Sequence, residues 1–317
     1  MNRNPSEKSQ GMLAMAAAMS APLAATASGT PWPMVLLVCI GGALLSAAAA
    51  KGSGEGKKGR LFWCLEWLWS LYVLSRVLLL LPKCWQVDST SGWIMGAVLL
   101  GLAILGTADS TGQYRQQGSV LLRIMTVIYG VLLLAGFMGM KLSKVNSRLA
   151  LPRGGLLTAA LVPAAFAFMG EKRSGWAKAG STVFALLVSV CTYGILSAQG
   201  VAGQELPIYE AVRTVNLGGA VRRFEALLSV VLTMGWYSAI SGIVCLQRRS
   251  WSEVVKKGEN VGTVGGCAAA MGIAFLVQDA EGMLLDAGSV AAWVVLPILA
   301  NLYESFRAKK EKKRLDK

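Results

Sequence analysis

The stretch RRFEALLSVVLTMGWYSAISGIVCLQRR (222–249) decides the fold. Between its two arginine pairs, residues 224–246 carry one charge, Glu225, and it stands at the start of the run. About 20 largely apolar residues, rising about 1.5 Å each, match the roughly 30 Å hydrocarbon core of a bilayer. The run therefore reads as a membrane-spanning helix with basic residues left at both faces.

Working outward, nine further apolar runs lie at 11–28, 31–50, 61–82, 91–108, 119–140, 153–170, 179–199, 260–278 and 288–306. The composition agrees with so many. Of the 317 residues 54% are hydrophobic and 15% charged, and the mean hydropathy is +0.53, whereas a soluble domain is nearer a quarter charged. The expected fold is an all-α polytopic membrane protein of about ten transmembrane helices. It divides into a cytoplasmic tail (1–10), a transmembrane domain (11–306) and a basic cytoplasmic tail (307–317). The run 11–28 is the weakest, rich in Ala and Met and interrupted by Pro22, and a cleaved signal peptide is its alternative reading. The long, mixed-charge lead (Arg3, Glu7, Lys8) favours a span.

The net charge of +14 is mostly a topology signal. With ten spans and the N-terminus inside, the inside segments hold 21 Lys and Arg and the outside segments 8, with Arg76 and Arg123 within spans. Both termini are thus expected in the cytoplasm. The tail RAKKEKKRLDK (307–317) lacks aromatic residues to stack bases, so no nucleic-acid partner is expected. It suits anionic membrane lipid, at about 1 kcal/mol per charge.

The absence of histidine excludes a Ser-His-Asp triad and any His-ligated metal or haem. The six cysteines show no CxxC spacing and read as small buried hydrophobes. With no phosphate loop, acidic metal cluster or nucleophile-base pair, neither an enzyme, nor a catalytic residue, nor a cofactor is expected.

Charged residues within spans cost about 2.5–3.5 kcal/mol on insertion scales. Glu66 lies in a Trp-rich segment (Trp63, Trp67, Trp69) and reads as an interfacial group. Glu225 follows Arg222 and Arg223 and reads as a helix-start carboxylate braced by guanidinium groups. Helix breakers fall in two runs five spans apart: Pro22 in the first, and Pro152, Gly154, Gly155 and Pro163 around the sixth, which ends at Gly170 and Glu171. Such a pair of interrupted helices suits a binding site near the bilayer midplane. The longest polar connection, about 200–223, joins the seventh and eighth spans.

Three features together resemble the spore germination permease family. That family supplies the integral-membrane B subunit of germinant receptors, within the amino acid-polyamine-organocation superfamily. The first feature is LPIYEAVRTVNLGGAVRRFEALLSVVLTMGWYSAISG (206–242), where Pro207, Arg213 with Val215, and Arg223 with Glu225 look like the family's loop and its step into the eighth span. The second is LALPRGGLLTAALVPAAFAFMGE (149–171), with Pro152, Phe166, Phe168, Gly170 and Glu171. The third is the order of spans. The first run lacks the family's Gly pair, and in GQYRQQGSV (112–120) Tyr114 and Gly118 replace a usual Glu and Arg.

The resemblance implies an inverted five-plus-five repeat like that of amino acid permeases. It implies a small nutrient, usually an amino acid, bound between the broken first and sixth helices. By position the binding residues would be Met15, Ala18, Met19 and Ser20, with Phe166, Phe168, Met169 and Gly170. Glu171 would support the unwound exit of the sixth helix, Arg223 and Glu225 would brace the outer loop, and Glu66 would be structural or gating. Partners would be a germinant receptor A subunit and a C lipoprotein, in the spore inner membrane. A secondary active amino acid transporter is the alternative. It needs a coupling carboxylate near the midplane, and Glu66 is the one interior carboxylate away from a basic cluster or an end loop.

Overall fold

The structure is a computed structural model that describes residues 60–85, 89–108, 111–145, 187–188, 190–197, 200, 207–215, 224–255 and 258–277, with isolated positions between 299 and 310. All regular structure among the described residues is helical. We number the helices α1 (Arg60–Trp85), α2 (Ser89–Ala108), α3 (Thr111–Gly139), α4 (Pro207–Thr214), α5 (Phe224–Val255) and α6 (Glu259–Val277), with a 3-10 turn at Leu142–Lys144. A further helical run occupies 187–188 and 190–197.

Five of the expected apolar runs are helical here, as α1, α2, α3, α5 and α6, and part of 179–199 is helical. The segments 11–28, 31–50 and 153–170 lie outside the described residues, and with them the five-plus-five repeat. Among the described residues, three helices are long and apolar enough to cross a membrane: Thr90–Thr107, Glu225–Val255 and Glu259–Val277.

α5 is the central element and packs against α1, α2, α3, α4 and α6. Its fully buried residues Leu228, Leu232, Trp236, Ile240 and Ile243 recur every three or four positions, which places them on one face of a helix. Leu74, Leu78 and Leu81 of α1 and Met125 of α3 complete that core. The outward faces are apolar as well. Leu102 and Leu105 of α2, Val127 and Leu134 of α3, and Val261 and Leu276 of α6 are all exposed. Helices apolar all round belong in hydrocarbon rather than water. There the tails are as apolar as leucine, so association rests on close packing and dispersion.

Several hydroxyl groups within these helices bond to their own backbone, which suits a bilayer. Ser70 donates to the Trp67 carbonyl at 2.6 Å, Thr107 to Ala103 at 2.8 Å and Ser238 to Met234 at 2.9 Å. Small residues allow the closest approaches. A Cβ on Gly92 would lie 2.5 Å from the Pro82 ring, and one on Gly262 would be driven into the Trp251 indole.

Two boundaries differ from the sequence reading. α5 runs to Val255 rather than stopping at 246, and α3 begins at Thr111 rather than 119. Hydropathy marks where a chain leaves hydrocarbon, while the helix continues as long as its polar turns find partners. At about 1.5 Å per residue, the 32 residues of α5 extend about 48 Å, beyond the roughly 30 Å apolar layer. Gly258 then turns the chain into α6 with φ of 67°, a left-handed conformation that suits glycine.

Candidate functional site

The helix ends gather into two groups. At one end the start of α1, the ends of α2 and α5 and the start of α6 meet around Arg248, Arg249 and Trp251. At the other, the end of α3, the helical run 187–197, α4 and the start of α5 meet around Arg213 and Lys144.

At the first end, Arg248 on the extended part of α5 donates to the Thr107 carbonyl at the end of α2 and to Asn260 Oδ1 on α6. It also pairs with Glu259 at 3.6 Å. A guanidinium suits this position, since the last carbonyls of α2 lack intrahelical donors and the first turn of α6 favours a carboxylate. Arg249 lies over the Trp63 ring at 5.2 Å, and Trp67 and Trp251 pack with centroids 5.3 Å apart. One turn before Trp251, Gln247 is wholly buried. Its Oε1 accepts from the Cys267 thiol at 3.6 Å, while its Nε2 and the indole nitrogens of Trp67 and Trp251 have no hydrogen-bond partner among the described residues.

At the second end, α4 docks on α5. Tyr209 and Ser229 share a hydrogen bond of 2.9 Å, and Arg213 lies between Glu210 at 3.3 Å and Glu225 at 3.7 Å. Lys141 N–H donates to the Gly194 carbonyl at 3.0 Å, and Lys144 Nζ donates to the Ile195 carbonyl at 2.9 Å. Beneath these contacts lies a small pocket of about 40 Å³. It is lined by Tyr129, Leu132 and Gly136 of α3, Cys191 and Ile195 of the 187–197 run, Val212 of α4 and Leu228 of α5. The lining is apolar apart from Tyr129, Thr192 and the Cys191 thiol, and Thr192 spends its hydroxyl on the Val188 carbonyl at 2.8 Å.

Of the residues singled out in the sequence, Glu225 finds a defined ion-pair partner in Arg213. Glu66 sits in the second turn of α1. Met15, Ala18, Met19, Ser20, Phe166, Phe168, Met169, Gly170, Glu171 and Arg223 lie outside the described residues, and with them the expected nutrient site. The Arg248 contacts, the Tyr209–Ser229 bond and the pocket have no local sequence signal, because each joins residues far apart in the chain. Gln247 had one: a lone amide closing an apolar run. Among the described residues, no three metal-ligating side chains come together. The chain matches no protein-family model and no curated protein.

Proposed function

We propose that the chain is the integral-membrane subunit of a spore germinant receptor, binding a small nutrient, most simply an amino acid, and signalling through a partner A subunit and a C lipoprotein. The observation that carries the reading is the docking of α4 on α5. Within the stretch that bears the family resemblance, the described parts 207–215 and 224–242 are tied by Tyr209–Ser229 and Arg213–Glu225. In this reading the Arg248 end faces the cytoplasm, which is the core side in a spore, and the Arg213 end faces outward. The nutrient sits between the first and sixth spans, with backbone groups holding its charged ends and Met19 and Phe168 sensing its side chain. Binding shifts the bundle only if one of two states holds the nutrient more tightly.

The test is germination, followed as release of dipicolinate from spores with and without this chain, across single amino acids and other nutrients. Selective loss for one nutrient class, with substitutions at Met19 and Phe168 changing which nutrient works, is expected. Unchanged germination for every nutrient would refute the receptor reading. Uptake of labelled amino acid into proteoliposomes would then test the transporter alternative.

A further inference from the structure

Three buried N–H groups near the Arg248 end have no acceptor among the described residues. Gln247 is wholly buried, and its Nε2 is one of them. The indole Nε1 atoms of Trp67 and Trp251 are the others. An amide nitrogen and an indole nitrogen donate and do not accept. Leaving such donors unmet is costly, and lipid offers nothing in return.

Contacts among α1, α5 and α6 draw the three together. Trp251 follows Gln247 by one turn of α5, so the two are neighbours on one face. The Trp67 and Trp251 rings pack at 5.3 Å. Gly262 of α6 lies against Trp251, and Gly266, one turn on, lies against Gln247 and Leu71. Leu71 in turn follows Trp67 by one turn of α1. Each helix therefore gives two successive turns to one seam. The buried hydroxyls of Ser70 and Thr263 bond within their own helices, to the carbonyls of Trp67 and Glu259 at 2.6 and 2.7 Å. Gln247 Oε1 already takes the Cys267 thiol. The seam is rich in donors, and the guanidinium-bearing Arg248 and Arg249 come next along α5. Its chemistry complements a hydrogen-bond acceptor. The glycine contacts limit the size of that acceptor. A Cβ on Gly266 would stand only 3.1 Å from Gln247 Oε1, and so close an approach excludes an organic ligand.

We infer that Gln247, Trp67 and Trp251 hold one small hydrogen-bond acceptor, a water molecule or a halide ion, in the seam between α1, α5 and α6. The site rests on contacts of these three helices and not on the nutrient reading.

The indole nitrogens report on it directly. The full chain, with ¹⁵N in tryptophan, is placed in phosphatidylcholine liposomes, and magic-angle-spinning spectra follow magnetisation as it spreads from water. Trp67→Phe and Trp251→Phe assign the two signals. Trp236 is the reference. Its Nε1 is likewise unpartnered among the described residues, but it lies about 22 Å from Trp251 along α5, at about 1.5 Å per residue. A bound water should feed Trp67 and Trp251 at least about fivefold faster than Trp236, with or without halide. A halide should instead shift both signals saturably when bromide replaces gluconate at constant ionic strength. Gln247→Leu removes the amide donor and should abolish either response, and Gln247→Met serves where that variant does not fold. Cys267→Ala removes the thiol, leaves all three donors and should preserve the response. Transfer no faster than at Trp236, with no bromide shift, would mean that the chain itself supplies the acceptor, and would overturn the proposal. So would a response indifferent to the loss of the Gln247 amide.

Discussion

Gly262 offers the sharpest test of how the bundle holds together. A methyl group there would lie inside the 3.0 Å that real Cβ atoms essentially never cross, against three atoms of the Trp251 ring system. The ring cannot swing aside freely, because its other neighbour is the Trp67 indole at a centroid distance of 5.3 Å. Overfilling a packed site typically costs about 1–3 kcal/mol. Glycine to alanine in a helix also brings a backbone gain of about 1 kcal/mol, which would blur a single measurement. Gly265, one turn on in α6, removes the ambiguity, since its Cβ would meet nothing within 4 Å. The backbone gain is common to both variants and cancels in their difference. Gly262→Ala should therefore be less stable than Gly265→Ala by about 1–3 kcal/mol. The assay is reversible unfolding in mixed micelles of mild detergent and dodecyl sulfate, followed by tryptophan fluorescence. Coincident unfolding midpoints would refute the claim that α6 approaches α5 closely enough to need glycine there.

Four further outcomes follow from the same contacts. Arg248→Met should destabilise by about 2–4 kcal/mol, since it removes charge-assisted hydrogen bonds to α2 and α6 from a side chain only 20% exposed; Arg248→Lys should restore less than half, measured in the same micelles. Gln247→Leu should be neutral or stabilising in that unfolding assay, because it trades one weak thiol bond for the removal of an unpartnered buried amide. Tyr209→Phe should cost about 1 kcal/mol by loss of the bond to Ser229, and hydrogen exchange should speed in 207–214 before it does in α5. A double-mutant cycle on Arg213 and Glu225, 63% and 37% exposed, should give at most about 1 kcal/mol and fade with salt.

The apolar helices among the described residues were legible because hydrocarbon imposes a length and a composition that any stretch such as 224–246 must display. What the sequence did not display was where helix outlasts hydrocarbon. Residues 247–255 are polar enough to read as a loop, yet they remain helical because Arg248, Arg249 and Trp251 each find a partner on another helix. Arg248 counted in the sequence only as one positive charge among those expected inside. Its work as a tie between α2, α5 and α6 depends on Thr107, far back in the chain. Glu225 looked paired with its neighbours Arg222 and Arg223, and the structure adds a partner that spacing could not supply: Arg213, reached because α4 folds back along α5. The pocket was equally hidden, since its walls come from four separate segments.

The two ends and the middle of the bundle therefore carry different burdens. The outer ion pair is exposed, and pairs of that kind contribute about 0–1 kcal/mol. It sets where α4 lies more than whether the chain folds. The middle has almost no polar choice: Leu74, Leu78, Leu232, Trp236 and Ile240 are fully buried, and hydroxyls such as those of Ser70 and Ser238 are spent on their own helices. Stability there rests on how closely the helices approach, and Gly92 and Gly262 set that distance against rigid rings. If the proposed receptor role holds, a signal crossing this bundle would not need to break its core. It would need to shift α4 and the 187–197 run against α3 and α5, where the apolar pocket leaves room and the ties are weak. Substitutions at Gly92 or Gly262 should then lower the stability of the fold, while those at Arg213 or Tyr209 should shift α4 with little loss of stability.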